Sequence, residues 1–362
     1  MIGGVERIGQ KLLFAFDPET AHGLSIAALK AGGGFFRASA RDARLEVKAA
    51  GLTFPNPLGM AAGYDKNGEV PDALIGLGFG FAEVGTVTPL PQTGNPKPRI
   101  FRLTQDHAVI NRLGFNNEGH EGCLARLQAR SVRRGIVGVN IGANKDSNDR
   151  VADYRVGVER FAGVASYLTV NISSPNTPGL RALQARDSLA ELLDAVTAAR
   201  AVSDAANSKR TPLFLKIAPD LNEIELDDIA VQVLAKKIDG VIVSNTTLSR
   251  RGLASSHAAE AGGLSGRPLF ARSTAVLARM RRRLGPDVVL VGVGGVTSAE
   301  TAAEKICAGA DLVQLYTGMI YDGPALPARI VHGLSAIVQR EGVASIGALR
   351  DTALAKWEAA PI

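Results

Sequence analysis

The 362 residues carry 41 Lys and Arg against 35 Asp and Glu, for a formal charge of +6, with 46% hydrophobic and 21% charged content. Such a chain is globular and long enough to bury a large core; it is not a disordered polymer. Two cysteines, Cys123 and Cys307, are too few for a disulfide framework, a zinc site or an iron–sulfur cluster, so no metal is expected and a reducing compartment is the simpler setting.

The mild basic balance suits an anionic substrate or anionic lipid. The four arginines between Arg279 and Arg283 read as an exposed helix end. Without interleaved aromatics they do not indicate nucleic acid.

At the amino end, Val5, Ile8, Leu12 and Phe16 fall at spacings of 3 and 4, one face of a helix over 5–16. Asp17-Pro18-Glu19 predicts a second helix start, with Asp as cap and Pro in the first turn. That helix, roughly 18–30, carries Ala21, Leu24, Ala28 and Leu29, and Gly32-Gly-Gly34 ends it. The stretch to about Ala43 reads as a linker. The pair fits either two helices packed on the main body or an amphipathic pair lying on a membrane surface. No apolar run approaches the ~18–20 residues of a spanning helix. Glu6, Arg7, Gln10 and Lys11 interrupt any signal-peptide core.

From about residue 44 the pattern alternates. Strands are expected at Leu58–Ala62, Phe81–Gly85, Val137–Ile141, Tyr167–Asn171, Leu213–Ile217, Gly240–Val243, Val288–Val291 and Leu312–Tyr316. Helices are expected at Ser188–Asp204, Glu223–Lys236, Leu269–Leu284 and Ser298–Ala308, the last opened by a capping box at Thr297-Ser-Ala-Glu300. About eight such units over ~280 residues predict an α/β fold, a (β/α)8 TIM barrel with a small amino-terminal helical extension. An open dinucleotide-binding sheet would place Gly-x-Gly-x-x-Gly early, and that motif is absent.

Barrel enzymes work at the carboxyl ends of their strands. Gly63–Lys66 follows the first expected strand and Thr86 the second. Asn140 lies in the third. Asn171 and Ser174 follow the fourth, and Lys216 lies in the fifth. Ser244-Asn245-Thr246 follows the sixth, Gly294-Gly295 the seventh and Tyr316-Thr317 the eighth. Polar residues at the ends of apolar strands therefore converge on one mouth. Gly292-Val-Gly-Gly295 before a helix, and Tyr316-Thr-Gly318 after the last strand, suit a phosphate held by backbone N–H groups. The stretch Asn171-Ile-Ser-Ser174-Pro-Asn-Thr-Pro-Gly-Leu180 is a stiff loop past a strand end, since each proline fixes its own φ and restrains the residue before it. The residues alone also fit an Asn/Pro turn that caps its own backbone.

That loop resembles the catalytic loop of the dihydroorotate dehydrogenases. Ala62-Gly-Tyr-Asp-Lys66-Asn, Asn111-Arg-Leu-Gly-Phe115-Asn-Asn, Gly263-Leu-Ser-Gly-Arg-Pro268 and Gly292-Val-Gly-Gly295 are similar to that family's other motifs, in its order. Five motifs in sequence make a specific match. The resemblance implies oxidation of dihydroorotate to orotate with FMN as the cofactor. It implies Ser174 as the base, with Thr177 relaying its proton and Phe115 shutting out water. Around the substrate it sets Lys66, Asn111, Arg112, Leu113, Gly114, Phe115, Asn171, Asn176, Asn245 and Thr246. Around FMN it sets Ala62, Gly63, Tyr64, Asp65, Lys66, Thr86, Asn140, Asn171, Lys216, Ser244, Gly266, Gly295, Tyr316 and Thr317. Lys216 is suited to stabilising negative charge on the reduced ring.

Cytosolic members of the family carry Cys as the base, and membrane-associated, quinone-using members carry Ser and a helical amino-terminal extension. Ser174 and the helical pair both imply the quinone class. Residues 1–43 would then be the membrane and quinone-access unit and 44–362 the FMN-binding barrel. Ubiquinone or menaquinone would enter between them, past Phe14, Phe16 and Leu24, with His22 and Arg102 as candidates for its carbonyl. A satisfied helix-surface histidine is the other reading of His22. The class further implies a monomer, peripheral at the cytoplasmic face of the cell membrane. Two alternatives remain at this level: a flavin barrel acting on another substrate, and a membrane-attached binding module without catalysis.

Overall fold

The computed structural model describes residues 13–32, 41–130 and 135–362. Strands β1 (Val47–Ala49) and β2 (Leu52–Phe54) form an antiparallel ribbon; β3 (Leu58–Met60) and β4 (Phe81–Val87) begin a barrel. β5 (Ile100–Leu103) and β6 (Ala108–Asn111) leave it as an antiparallel hairpin. β7 (Ile136–Ile141), β8 (Tyr167–Asn171), β9 (Leu213–Ile217) and β10 (Gly240–Val243) resume the barrel. β11 (Gly263–Gly266) joins β6 in a three-stranded sheet, and β12 (Val289–Val293) and β13 (Leu312–Leu315) close the barrel onto β3. The eight expected strands are the eight barrel strands, all parallel. Helices cover the outer face, so both faces are buried and the strands read as continuous apolar runs.

Inside the barrel, three aromatic rings stand across from glycines. Phe81 pairs in register with Gly59, Tyr167 with Gly138 and Phe214 with Gly240. A Cβ on Gly59 would lie 2.3 Å from the Phe81 ring, and one on Gly138 2.1 Å from that of Tyr167. The rings touch in series, Phe81 to Tyr167 at 6.3 Å and Tyr167 to Phe214 at 5.0 Å between centroids. Phe54 of β2 packs on Phe81 at 5.1 Å, so the ribbon closes the amino end of the barrel. Polar side chains, Glu83, Asn140, Asn171, Lys216 and Gln314, lie further along the same barrel strands or their neighbours and are also buried.

Before the barrel, residues 13–15 are helical, and α1 (Pro18–Gly32) follows. Its cap is as expected: Asp17 Oδ1 accepts from the N–H groups of Glu19 (2.9 Å) and Thr20 (3.2 Å). Val5, Ile8 and Leu12 of the first expected helix lie outside the described residues, as does most of the linker. α1 packs on the helix Pro71–Gly76 and on β5, burying Ile26 and Leu29. Glu19 takes two bonds from the buried Arg99 guanidinium, at 3.1 and 2.7 Å, and Tyr64 donates to Ser25 at 3.0 Å. Lys30 pairs with Glu69.

Two local expectations are corrected. The run from Arg279 to Arg283 is not simply an exposed helix end, since Arg281 is buried with its guanidinium on the Gly309 carbonyl and Asp311. The helix Ala299–Cys307 is capped by Ser298, not Thr297, and the box closes on Thr301. Thr301 Oγ1 accepts from the Ser298 N–H at 2.9 Å, while Ser298 Oγ accepts from the Thr301 N–H at 3.3 Å. A threonine hydroxyl does here what a glutamate was expected to do, so the frame moves by one residue.

Adding a methyl at Gly138 should overfill the barrel floor. Gly138→Ala is expected to lower stability by about 1–3 kcal/mol or more. Gly23→Ala in α1, where nothing lies within 4 Å of the new methyl, should be neutral or gain up to about 1 kcal/mol. Denaturant melts of the pair check this, and equal midpoints would refute the packing argument.

Candidate active site

The carboxyl end of the barrel and α1 enclose a cavity of about 720 Å³. On the α1 side it is lined by Leu13, Phe14, Phe16, His22, Leu24, Ser25 and Ala28. On the barrel side the strand ends contribute, and so does the β5–β6–β11 sheet, through Asn111 and Gly266. Of the residues expected at a site, Ala62, Gly63, Tyr64, Lys66, Thr86, Asn111, Leu113, Gly114, Phe115, Asn171, Ser174, Asn176, Lys216, Ser244, Asn245, Thr246, Gly266, Gly295, Tyr316 and Thr317 all line it.

Four expected residues do not line it: Asp65, Arg112, Asn140 and Thr177. Asp65 is buried and caps a turn, its carboxylate accepting from the N–H groups of Glu69 and Val70, both at 2.8 Å. Arg112 turns outward to Glu260 at 2.8 Å and lies over the Phe101 ring. Asn140 sits behind Thr86, whose hydroxyl donates to it at 2.5 Å.

The proline-fixed loop is held from behind. Arg181 donates to the Ser173 carbonyl at 3.0 Å, to Asp220 at 3.0 Å and to the Thr246 carbonyl at 2.9 Å. Ser174 is buried, and the Asn176 N–H donates to its Oγ at 3.2 Å. Asn176 reaches Asn111 across the cavity at 3.3 Å. The hydroxyls of Thr177 and Thr246 are buried and, among the described residues, have no protein partner. Thr246 lines the cavity, so its unpartnered hydroxyl marks where a polar ligand would complete the hydrogen bonding. Phe115 adopts φ +54, a left-handed conformation rare for a bulky residue. Its carbonyl is held there by Gln92 at 3.1 Å and Asn117 at 2.7 Å. Arg181 and Gln92 were not expected at the site, and Asn117 entered only as the end of the Asn111–Asn117 motif. The bonds of Arg181 and Gln92 run to backbone carbonyls and a carboxylate mostly far along the chain, and no local pattern signals that.

At the phosphate-like corner, Gly266 and Gly295 have φ of +99 and +74. A Cβ on Gly295 would lie 2.5 Å from Phe270, and one on Gly266 2.4 Å from the His107 carbonyl. Only glycine fits, and so backbone and not side chain faces the cavity there. Thr317 Oγ1 donates to Ser265 at 2.8 Å, tying β11 to the turn after β13.

Charge in the cavity is set by burial. Desolvation brings the Lys66 ammonium down to about 8. Burial also lowers that of Lys216, with the Glu83 carboxylate acting in the opposite sense. His22 lies between Tyr64 and Tyr316, with ring centroids at 5.2 and 6.4 Å. Its Nε2 is 3.3 Å from Lys66 Nζ and its Nδ1 3.3 Å from the Tyr316 hydroxyl. Burial, and then the Lys66 charge, push its pKa down to about 3. Arg102 donates to the carbonyls of Leu13, at 3.4 Å, and Phe16, and lies over the Phe14 ring.

The family model described as dihydroorotate dehydrogenase matches residues 44–338. The chain belongs to the dihydroorotate dehydrogenase family. Its relatives place it in the quinone-dependent class of that family. "Dihydroorotate dehydrogenase (quinone)" of Mesorhizobium japonicum is 68% identical over 359 residues, covering 99% of each chain. The protein of that name from Sinorhizobium fredii is 66% identical over 358 residues, with the same coverage. Two crystal structures of the dihydroorotate dehydrogenase of Eimeria tenella superpose well. The complex with ferulenol gives a TM-score of 0.87 at 41% identity, covering 94% of this chain and 98% of that one. The ligand-free form gives 0.88 at 43%, covering 93% and 99%. Members of this family are flavin-dependent, and the expected barrel and class are both met here.

The depressed His22 pKa has a signed consequence. Between about pH 3 and 6.5 the unfolded chain binds a proton that folded His22 refuses. Its contribution to stability is therefore intact above pH 6.5 and is lost as pH falls below it. In NMR of histidine-labelled protein, the His22 ring resonances are expected to stay flat from pH 5 to 8; a midpoint near 6.5 would show that the ring is not buried as described.

Proposed function

We propose that this chain oxidises (S)-dihydroorotate to orotate in de novo pyrimidine (UMP) biosynthesis, with FMN as hydride acceptor and a membrane quinone, ubiquinone or menaquinone, as final electron acceptor. One observation carries the reading. Ser174, on its proline-fixed loop, shares one cavity with Asn111, Asn176, Asn245, Thr246 and Lys66, and that cavity continues to the apolar face of α1. The amides suit a planar imide ring, and a lysine suits its carboxylate. The chemistry FMN would supply, when bound, is that of a hydride acceptor able to pass electrons to quinone. The residues present suit it. Gly266 and Gly295 offer backbone to its phosphate, Lys216 offers a cation to its ring, and Thr86, Ser244 and Tyr316 line the space between.

Ser174 removes the proton beside the substrate carbonyl. A serine is a weak base unless its developing charge is stabilised and its proton relayed. The Asn176 N–H, already on Oγ, does the first. Thr177, a buried hydroxyl without a protein partner among the described residues, does the second. Phe115, pinned at positive φ, shuts bulk water out. Lys216, buried at the cavity wall, would set a cation beside the flavin ring. Neutral His22 and the Arg102 guanidinium stand where a quinone carbonyl would enter past Phe14, Phe16 and Leu24.

Phe16 and Leu24 are 49% and 43% exposed, apolar surface at the rim of the cavity. No helix among the described residues is long and apolar enough to cross a membrane. We read the attachment as peripheral, through residues 1–43 at the cytoplasmic face of the membrane, with 44–362 as the catalytic unit of a monomer.

The test is anaerobic. The purified protein should be yellow, bleach with dihydroorotate, and recover colour rapidly with quinone but not with fumarate or NAD. Ser174→Ala should keep flavin and orotate binding while bleaching roughly 10²–10⁴-fold more slowly. Thr177→Val should slow the same step. Undiminished bleaching in Ser174→Ala would remove the serine as base; no bleaching in the unmodified, flavin-loaded protein would remove the substrate assignment.

A further inference from the structure

Glu83 was passed over in the sequence, a lone carboxylate in the apolar run Phe81-Ala-Glu-Val-Gly85. It lies inside the barrel with none of its surface exposed. Among the described residues no ammonium or guanidinium is in ion-pair contact with it. Its partners are neutral donors instead. Asn140 Nδ2 donates to Oε1 at 2.7 Å, and the Tyr167 hydroxyl and Gln314 Nε2 donate to Oε2 at 3.0 and 2.9 Å. A buried carboxylate is costly unless its lone pairs are filled in this way.

An ionised carboxylate only accepts, and that fixes the direction of every bond beyond it. Asn140 must turn its amide nitrogen to Glu83, so its Oδ1 faces the other way. That oxygen accepts from the Thr86 hydroxyl at 2.5 Å and from Asn171 Nδ2 at 3.1 Å. Thr86, having donated, accepts from Asn171 Nδ2 at 2.9 Å. Asn171 therefore presents Oδ1 to the mouth, where it accepts from the Ser173 hydroxyl at 2.7 Å. Ser173 in turn accepts from Asn245 Nδ2 at 3.0 Å, and Asn245 Oδ1 takes the Thr246 N–H at 2.7 Å. Every side-chain donor along this path points towards Glu83. An isolated asparagine amide flips at little cost, but here three are set in sequence, and aligned bonds strengthen one another.

We propose that Glu83 is a positioning residue for the substrate and flavin site. Its carboxylate sets the polarity of the hydrogen-bond chain running through Asn140, Thr86, Asn171 and Ser173 to Asn245, beside Ser174. This rests on the functional reading above, which puts substrate and flavin against Thr86, Asn171 and Asn245. Glu83 does not line the cavity; through Asn140 it decides which face, donor or acceptor, Asn171 and Asn245 turn to it.

The test exchanges the two ends of one bond. Glu83→Gln keeps the shape but leaves one acceptor oxygen where there were two, so an amide donor faces either Asn140 Nδ2 or the Tyr167 and Gln314 donors. The Glu83→Gln/Asn140→Asp double variant restores every bond. The new amide at position 83 would donate to the new carboxylate at position 140, and its oxygen would still accept from Tyr167 and Gln314. The carboxylate at position 140 would still accept from Thr86 and Asn171. In the FMN-loaded proteins, orotate binding is read from its perturbation of the flavin absorption band. Glu83→Gln is expected to weaken orotate roughly 10-fold or more, the scale of one mismatched buried hydrogen bond, with a raised KM for dihydroorotate and an unchanged KM for quinone. The double variant should recover to within about 3-fold of the parent, as a coupled pair does.

Unchanged orotate binding in Glu83→Gln, or a double variant no better than the single, overturns the proposal. Should the unmodified protein hold no flavin, the functional reading fails by itself, and melting temperatures still decide the chain's polarity. A loss in Glu83→Gln recovered by the exchange supports it; a loss that the exchange deepens refutes it.

Discussion

Large rings cannot fill the floor of an eight-stranded barrel unless the strand beside each one gives up its Cβ. Gly59, Gly138 and Gly240 meet that condition for Phe81, Tyr167 and Phe214. The packed rings make a dry base, and the side chains two residues further along the same strands stand on it. Glu83 follows Phe81 in this way, and Lys216 follows Phe214. Asn140 follows Gly138. A polar layer above an apolar one is thus the direct result of period-two alternation in parallel strands that share a register. Without the glycines the rings would push the strands apart, and the polar layer would lose its fixed distances.

The strands and main helices were legible because each is apolar and bounded by clear punctuation. All eight barrel strands, and the helix start at Asp17, read correctly from pattern alone. The three-stranded excursion of β5, β6 and β11 did not. Its strands are four residues each, and β11 joins β6 from far along the chain, so only tertiary pairing defines the sheet. The missed cap at Ser298 has a smaller cause, since threonine at the fourth position closes a box as glutamate does. In the site, the motif residues were visible because they cluster at strand ends. Arg181 and Glu83 were not. Each is a single charged residue whose meaning lies in what it touches, and those partners come from other elements.

The amino-terminal segment left two readings open, packing on the body or lying on a membrane. The geometry does not make them exclusive. α1 buries Ile26 and Leu29 against the barrel and is fastened by the Arg99–Glu19 pair, one guanidinium bonded through two nitrogens to both carboxylate oxygens. The same helix keeps Leu24 exposed at the cavity rim. Arg102 holds the carbonyls of Leu13 and Phe16, so the segment ahead of α1 is gripped by the β5 strand.

α1 also has a second side. Behind it lies a groove of about 850 Å³, bordered by Lys30, Glu69, Lys97, Arg99 and Glu118, whereas the cavity in front is bordered by Leu24 of the helix and by Phe14 and Phe16 of the segment ahead of it. His22, Tyr64 and Lys66 face both spaces. One helix of fifteen residues is therefore a partition between an oily compartment and an aqueous one. A lipid-soluble molecule and a water-soluble one can approach the same three side chains from opposite solvents without crossing paths. Any change in the tilt of that partition would be felt on both sides at once.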